Sequence, residues 1–414
     1  MSDTVDTVKA EQNQRLMQLL GAELESNPDA DLSTIFGRFQ LENRPPKSKK
    51  PPPKNMDYCE TLIAYANDAE VVYPLSDSVE SLLRFHNRPI EPSTGNSKSV
   101  SKPSSSDHQI RGPLPPPPPG PPPPRKEMSG QTLVRSLKHM ISTCERCWDD
   151  MRGVVLKCNG SIAAKILSGT HDYTEYTALQ YLALHMPDVP APKPLGLVTF
   201  SGCRIMFMTY FPSMTLEQAW PNLNHENKLS IQQQLETIFS RLRSMKKPAG
   251  LPLGGVNGEG VKDWHMDRRE GLRKDSIKTV EEFEDMLFTV DEWPPTKAWT
   301  RLLRSFLPAP KTTVCVFTHG DFRAANVMVD QDDNERFFVT GIIDWETSGF
   351  YPDYFESMQV LWIFDAGVEN DWWEYLPTCI APSSNLERFL VGRIWDSCIG
   401  FGAAPVPKPQ TRAC

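Results

Sequence analysis

Three residues in the last third of the sequence have side chains suited to chemistry, namely Asp321, Asn326 and Asp344. Each lies close after a run of apolar residues, as Asp344 does after Ile342-Ile343, where packing alone would not select a polar group. A carboxylate can orient a hydroxyl group or accept its proton, and Mg²⁺ prefers oxygen ligands of this kind. Together these groups meet the requirements of phosphoryl transfer.

The spacing of the three residues predicts that they converge. Asn326 follows Asp321 by five positions, so one loop can present both side chains at its two ends. Asp344 stands at the end of a neighbouring predicted strand, Phe337 to Ile343, which brings it to the same place. We therefore interpret Asp321 as the group that acts on the acceptor hydroxyl, and Asn326 with Asp344 as ligands of Mg²⁺.

Two neighbours of Asp321 carry further polar groups. Arg323 could neutralise charge on a transferring phosphoryl group, or it is a surface arginine paired with Asp330 or Asp332. His319 is expected to face the core and to hold the loop through hydrogen bonds rather than to exchange protons.

Two charged residues earlier in the chain are predicted to pair. Lys165 lies within the apolar strand pattern Ala163-Ala164-Lys165-Ile166, and Glu175 falls on the same helical face as Leu179. Each would bury an uncompensated charge unless it met the other, although Lys165 could also lie on an exposed strand edge.

The elements around these residues suggest two lobes. A turn at Asn159-Gly160 joins two apolar runs as a hairpin, a helix follows, and a second hairpin turns at Ser201-Gly202. This order predicts a small lobe with an antiparallel sheet. Helical periods dominate after Thr215, apart from a cluster of short strands near Asp321, so the second lobe is predicted to be mainly helical.

The run His319-Gly-Asp-x-x-x-x-Asn326 with the later Ile343-Asp-Trp-Glu346 resembles the aminoglycoside phosphotransferase and choline kinase-like family. The similarity extends over about residues 150–365. It implies an α+β, bilobal protein-kinase-like fold with ATP and Mg²⁺ as cofactors. The activity it implies is transfer of the γ-phosphoryl group to a hydroxyl of a small molecule, such as an amino alcohol or an aminoglycoside-like compound.

The resemblance also assigns residues to the nucleotide. Asp321 matches the proposed catalytic base, and Asn326 and Asp344 match the magnesium ligands. Lys165, held by Glu175, would contact the α- and β-phosphates. Adenine would lie between the lobes against Met208 and Tyr210, with Met206 beside them.

One departure from the family pattern favours a different function. No glycine-rich loop precedes the strand at Val154, because the residues from Ser142 to Asp150 contain no glycine and only Gly153 remains. A shortened loop could cover the phosphates through Ser142 or Thr143. Alternatively, the protein is a pseudokinase-like scaffold that binds partners through its proline-rich arm. A true protein kinase fits less well, because His319-Gly320-Asp321 replaces His-Arg-Asp.

The acceptor cannot be identified from the sequence. Acidic residues of the helical lobe could line a cleft for a cationic amine, although such charges are more often a solvated helix face. Four tryptophans could form an aromatic wall for a cation, or they pack in the core. These two sets are Asp263, Asp267, Glu281, Glu282, Glu284 and Asp285, and Trp345, Trp362, Trp372 and Trp373.

The first part of the chain has a different composition. Residues 1–130 are rich in proline, with a tract from Pro113 to Pro124. They are predicted to be mostly disordered with short helices. One of these helices would begin with a capping box formed by Asp77 and Glu80. The tract could bind an SH3, WW or profilin-type partner, or it is a linker. We place the small lobe at residues 131–210, the helical lobe at 211–404 and a tail at 405–414.

The charge and hydropathy of the chain limit its partners. A net charge of -8 and an isoelectric point of about 5.6 provide no basic field for nucleic acid or for an anionic membrane surface. We see neither a secretory signal nor an apolar run of membrane-spanning length, so we expect a cytoplasmic protein with a small-molecule acceptor as its substrate.

Overall fold

A six-stranded antiparallel sheet forms the small lobe of the protein, as seen in a computed structural model. The structure describes residues 57–87, 128–150, 153–263, 277–288, 296–308, 314–360 and 371–398. The strands of this sheet are β1 (Ala69–Tyr73), β2 (Glu145–Asp150), β3 (Gly153–Lys157), β4 (Ile162–Ser168), β5 (Pro194–Phe200) and β6 (Cys203–Thr209). Their spatial order is β1-β5-β6-β4-β3-β2, and every neighbouring pair is antiparallel.

The hairpin between β3 and β4 forms where the sequence predicts it. The side-chain oxygen of Asn159 accepts hydrogen bonds from the backbone N–H groups of Ser161 and Ile162 at 2.8 and 2.9 Å. This local side-chain bond replaces ladder bonds that the turn cannot make. It fixes the register of β4, in which Lys165 lies opposite Val155 on one side and Met206 on the other.

The alternation of β4 gives the sheet two different faces. Ala164 and Ile166 belong to an apolar cluster with three helices on one face, while Ala163 packs in the cluster on the other face. Lys165 points to the same side as Ala163, because side chains two positions apart share a face. The helices on the first face are α1 (Tyr58–Tyr65), α2 (Asp77–His86) and α3 (Gly130–Thr143).

Residues 58–87 differ from the sequence-based expectation, which assigned them to the disordered arm. β1 pairs with β5 at the edge of the sheet, and Val79 and Leu83 of α2 are fully buried. The cap of α2 is Ser76, whose side chain accepts from Val79 N, rather than the predicted box at Asp77. The described small lobe therefore begins near Tyr58, because these short amphipathic elements bury their apolar side chains against the sheet.

The helix α4 (Thr174–His185) packs on the second face of the sheet, as its periodicity predicts. Its buried side chains include Tyr176, Leu179 and Leu182, which contact the core shared with the large lobe. Glu175 is also buried in the first turn of α4. The helix thus places a carboxylate on the face of the sheet that carries Lys165.

The large lobe combines helices with two small sheets. Its helices are α5 (Leu216–Ala219), α6 (His225–Ser244), α7 (Val280–Leu287), α8 (Lys297–Ser305), α9 (Phe355–Gln359) and α10 (Leu386–Cys398). Its strands are β7 (Met214–Thr215), β8 (Cys315–Thr318), β9 (Val327–Gln331), β10 (Phe337–Ile342) and β11 (Gly349–Pro352). One sheet has the order β10-β9-β7, and the other pairs β11 with β8.

The core of the large lobe lies directly beneath the predicted catalytic residues. Trp345, Phe317 and Phe322 are fully buried, and Phe322 packs edge-on against Phe239 of α6 with ring centroids 4.4 Å apart. In the sequence, Phe322 directly follows Asp321 and Trp345 directly follows Asp344. The packed rings therefore hold the backbone from which the polar side chains project.

Several predicted features lie outside the described residues. These are the proline tract, the tail at residues 405–414, Asp267 and Trp362. Within the part of the chain that the structure describes, no helix has both the length and the apolar character needed to cross a membrane.

Candidate active site

A cleft of about 1140 Å³ lies between the two lobes. Its walls include Lys165, Met208 and Tyr210 of the small lobe and its hinge, and Asn326 and Asp344 of the large lobe. The sequence-predicted residues from both lobes are therefore brought to one place. A cleft of this size can hold a nucleotide-sized ligand.

Lys165 is the centre of a buried ion cluster. Its Nζ lies 2.7 Å from Glu175 Oε2, which is the pairing that the sequence predicts, and 2.5 Å from Asp344 Oδ1. Glu346 Oε2 is 3.5 Å away. Burial alone would lower the pKa of Lys165, but the carboxylates of Asp344, Glu175 and Glu346 raise it above the ordinary value. Lys165 therefore carries its positive charge in the cleft.

Asp344 occupies an unusual backbone conformation at the end of β10. Its φ is +66°, in the left-handed region that residues with a Cβ rarely adopt. The following turn is closed by Trp345, whose indole N–H donates to Ile342 O at 2.7 Å, and by Ser348, whose hydroxyl donates to Trp345 O. Burial would raise the pKa of Asp344, but Lys165 lowers it, so this side chain is ionised. The strained turn aims the carboxylate into the cleft.

The carboxylates around Lys165 also have the chemistry of a metal site. One oxygen each of Glu175, Asp344 and Glu346 lies within 4.8 Å of the others. Asn326 lines the same cleft, and its Nδ2 donates to Asp321, which leaves Oδ1 available as an oxygen ligand. Hard oxygen donors of this kind suit Mg²⁺. Glu346 was not assigned a role from the sequence, although it belongs to the same short motif as Asp344.

Asp321 is held in place by its own loop. Asn326 Nδ2 donates to both Asp321 O at 2.8 Å and Asp321 Oδ2 at 3.0 Å, so the two ends of the loop are tied together. Burial, and then the charge of Asp344, raise the pKa of Asp321 to about 7. A carboxylate whose pKa lies near neutrality can accept a proton from a hydroxyl more readily than an ordinary aspartate.

His319 has the structural role that the sequence predicts. Its Nε2 donates to Ile343 O at 3.0 Å, and its Nδ1 accepts from Asp321 N at 3.2 Å. Burial lowers the pKa of this fully buried imidazole to about 4. His319 is therefore neutral and connects the loop of Asp321 to the strand that leads to Asp344.

A further anchor of the loop was not found from the sequence. Glu356 of α9 accepts hydrogen bonds from His319 N at 2.7 Å and from Gly320 N at 3.2 Å. Burial raises the pKa of this carboxyl to about 7. Gly320 has a φ of +82°, and a Cβ there would lie 2.8 Å from Thr347 O. Only glycine fits this bend without displacing the neighbouring turn.

Arg323 lies on the cleft wall beside Asp321. Its Nε is 3.7 Å from Asp321 Oδ2, and the buried Nε has no hydrogen-bond partner in the described part of the chain. Of its two alternative partners, Asp332 instead forms an ion pair with Arg336 at 2.8 Å. This position leaves the guanidinium beside the space that a phosphoryl group would occupy.

The side of the cleft where the sequence predicts adenine to bind is apolar. Met208 and Tyr210 line it together with Phe211, whereas Met206 packs in the buried core and is absent from the cleft wall. Lys157 lies over the ring of Tyr210, 5.4 Å from its centroid. These surfaces could contact a flat heterocycle.

The region expected to cover the phosphates is a strand rather than a loop. Residues Glu145–Asp150 form β2, and Trp148 and Cys147 line the cleft. Ser142 and Thr143 end helix α3 and donate to His139 O, so they do not line the cleft. An added Cβ on Gly153 would lie 2.2 Å from Ile166 O, so this glycine serves the close approach of β3 and β4.

The proposed acceptor residues divide between the cleft, the exposed surface of α7 and the core. Asp263 lines the cleft. Glu284, in contrast, pairs with Arg388, and Glu282 caps α7, so neither is a free carboxylate facing the cleft. Asp285 pairs with Arg304. Trp345 and Trp372 are buried in the core, which leaves no aromatic wall built from them.

A family match covers the middle of the chain. Residues 173–375 match the model described as the phosphotransferase enzyme family, which agrees with the resemblance drawn from the motif. Among curated proteins, none matches this chain significantly.

The similar solved structures are aminoglycoside phosphotransferases. The ternary complex of streptomycin, ATP and APH(2'')-IIa has 14% identity and a TM-score of 0.42, covering 63% of this chain and 86% of that chain. A thermostable mutant of APH(4)-Ia with AMP-PNP and hygromycin B has 14% identity and a TM-score of 0.40, covering 63% and 87%. APH(3'')-Id from Streptomyces rimosus has 16% identity and a TM-score of 0.38, covering 60% and 90%.

Proposed function

We propose that this chain, which belongs to the phosphotransferase enzyme family over residues 173–375, binds ATP with Mg²⁺ and transfers the γ-phosphoryl group to a hydroxyl of a small molecule. The observation that carries the proposal is the convergence of Lys165, Asn326 and Asp344 on one interlobe cleft, with Asp321 bonded to Asn326. Packing does not require four polar groups at this place, and phosphoryl transfer does.

Each residue has a defined task in this proposal. Asp321 accepts a hydrogen bond from the acceptor hydroxyl and takes its proton, which its raised pKa favours. Lys165 binds phosphate oxygens, and Glu175 holds the ammonium in place. Arg323 offsets negative charge on the phosphoryl group as it transfers.

The residues that would hold Mg²⁺ are Asn326, Asp344 and Glu346. When bound, the ion neutralises negative charge on the nucleotide phosphates. Asp344 can take this role because its low pKa keeps it ionised and because its turn is rigidly closed. Met208 and Tyr210 would contact the adenine ring.

An amino alcohol or an aminoglycoside-like compound is the acceptor class that the cleft supports. Asp263 lines the cleft, and a cationic amine would be attracted to its carboxylate. A hydroxyl on the same molecule could then approach Asp321.

A second candidate function is a pseudokinase-like scaffold that uses its proline-rich arm to bind an SH3, WW or profilin-type partner. The observation that favours it is the cover of the cleft, where β2 contains no glycine.

The test uses the full-length protein, because β1 and α2 belong to the small lobe. Saturating Mg·ATP, at about 100 times its Kd, should stabilise the wild type by about 2.7 kcal/mol in thermal unfolding. Asp344→Ala should abolish this shift. Asp321→Asn should keep it but lower ADP formation with a panel of hydroxylated amines by about 10²- to 10⁴-fold.

The thermal shifts of the wild type and of Asp344→Ala separate the two functions. A folded wild-type protein that shows no shift with Mg·ATP or Mg·GTP would reject the enzymatic proposal and favour the scaffold. A shift that persists in Asp344→Ala would show that the nucleotide binds elsewhere.

A further inference from the structure

A second lysine, Lys262, connects the two lobes on the other side of α4. Its Nζ lies 2.6 Å from Asp172 Oδ2 and donates to the backbone oxygen of Glu346 at 2.7 Å. Its side chain is 15% exposed and lines the cleft. No role was assigned to Lys262 from the sequence.

One end of this connection fixes the start of α4. Asp172 Oδ1 accepts hydrogen bonds from the backbone N–H of Thr174 at 3.2 Å and from its hydroxyl at 2.8 Å. Asp172 thus organises the first turn of the helix, and Glu175 lies in that turn. Burial would raise the pKa of Asp172, but Lys262 and then Arg204 lower it, so the pair is ionic.

The other end of the connection is the loop of the proposed metal ligands. The carbonyl of Glu346 lies two residues after Asp344, in the turn closed by Trp345 and Ser348. Lys262 therefore touches, through one ammonium group, the helix that carries Glu175 and the turn that carries Asp344.

The segment that carries Lys262 is itself fixed to the large lobe. Gly254 and Phe350 of β11 exchange two backbone hydrogen bonds, at 2.9 and 2.7 Å. The backbone N–H of Lys262 donates to the hydroxyl of Tyr351 at 3.0 Å. Glu259 of the same segment also contacts α4, through a hydrogen bond from the Thr177 hydroxyl. The segment can therefore hold α4 from a rigid base.

Lys165 and Lys262 differ in the groups that they bind. The partners of Lys165 are the carboxylates of Asp344 and Glu346, which the metal would require, and Glu175. Nucleotide and metal would therefore draw Lys165 away from Asp344. The partners of Lys262 are Asp172 and a backbone carbonyl, and neither belongs to the proposed ligand set.

We propose that Lys262 is a positioning residue that holds the first turn of α4 against the turn at residues 344–348, with or without nucleotide. Its effect on nucleotide binding rests on the proposed function, whereas the connection itself does not. Loss of Lys262 would leave Asp172 partly buried with a weaker partner and would allow the two turns to separate.

Hydrogen exchange without ligand tests the connection directly. Lys262→Met should raise the exchange rates of backbone amides in the first turns of α4 and in residues 344–348 by about tenfold. The matched control is Lys228→Met. The side chain of Lys228 is 14% exposed, its Nζ lies 2.7 Å from Asp371 Oδ1, and neither residue lines the cleft. This control should leave both segments unchanged. Unchanged exchange in Lys262→Met, or a rise spread evenly over both lobes, would overturn the proposal.

Nucleotide titration tests the consequence for the site. Lys262→Met should weaken the binding of Mg·ADP by about tenfold, because the loss of a group that orients metal ligands lowers the affinity for the metal. The binding of metal-free ADP should change by less than about twofold. Lys262→Arg should restore part of the difference, because a guanidinium can bridge the same two oxygens. Equal weakening with and without Mg²⁺ would contradict the positioning role. A wild type that binds no Mg·ADP would reject the proposed function, and the exchange rates would still decide whether Lys262 holds the two turns.

Discussion

Two regions face the cleft from opposite lobes, and they are built in different ways. The loop at residues 318–326 is held by buried side chains, since His319, Glu356 and Asn326 each bond to its backbone. The outer strand of the hairpin of β2 and β3 carries an exposed ion pair. Arg146 pairs with Asp149, and both side chains are more than a third exposed.

The difference agrees with the geometry that the proposed function requires. A base and metal ligands would need to be placed within a fraction of an ångström, and a buried, hydrogen-bonded loop provides that precision. A cover over the nucleotide phosphates would only need to approach and withdraw, which an exposed edge permits. Substitutions in the first region should therefore have much larger effects than substitutions in the second.

The largest effect is expected at Glu356, as a dependence of stability on pH. Its pKa is about 7 in the folded protein and about 4.5 when solvated, so the folded state binds the proton more tightly. The resulting stabilisation is complete below about pH 4.5 and is lost as the pH rises through 7. The loss corresponds to about 3 kcal/mol.

Glu356→Gln has no such proton to lose. The difference between the unfolding free energies of wild type and Glu356→Gln should therefore change by about 3 kcal/mol between pH 4.5 and pH 7 in urea titrations. If the unfolding free energies of the two proteins changed with pH in parallel, burial would not disfavour the charge of Glu356. The contrast between the buried loop and the exposed hairpin would then weaken.

A smaller effect is expected at the bend of the same loop. Gly320→Ala should lower the free energy of unfolding by about 1–3 kcal/mol, because alanine is strained at a φ of +82° and its Cβ would press on Thr347. The control is Gly160→Ala in the β3–β4 turn, where a Cβ would meet nothing within 4 Å. That change should stay within about 0.5 kcal/mol. Equal losses in urea titrations would show that the bend is not specially constrained.

The smallest effect is expected at the edge strand. Arg146→Ala removes an ion pair whose side chains are 38% and 39% exposed, so stability should fall by less than about 1 kcal/mol. Urea titration at low and high salt measures the change. A loss above about 2 kcal/mol would show that the hairpin is as firmly organised as the loop at residues 318–326.

Local patterns in the sequence predicted much of the small lobe. The Asn159-Gly160 turn, the helix through Leu179 and the second hairpin follow from residues close together in the chain. The pairing of Lys165 with Glu175 also followed, because a charge within an apolar strand needs a partner nearby. The convergence of Asp321 with Asn326 depended on one loop and was equally accessible.

Contacts between distant segments could not be predicted in this way. Residues 58–87 stand between two proline-rich segments of the chain, and only pairing with β5 reveals that β1 belongs to the sheet. Glu356 and Lys262 look like ordinary surface charges, because their partners lie far away in the sequence. A buried carboxylate that caps a loop leaves no periodic signal.

The placement of β1 has a topological consequence for the proline-rich tract at Pro113 to Pro124. The chain is fixed at Asn87, after α2, and again at Met128, before α3, and both helices pack in one apolar cluster. The residues between them are thus an internal insertion tethered at both ends. A partner that bound the tract would consequently be tethered to the small lobe through both ends of the insertion. A single proteolytic cut within the insertion would divide the chain into two fragments that remain joined by the pairing of β1 with β5 and by the burial of α2.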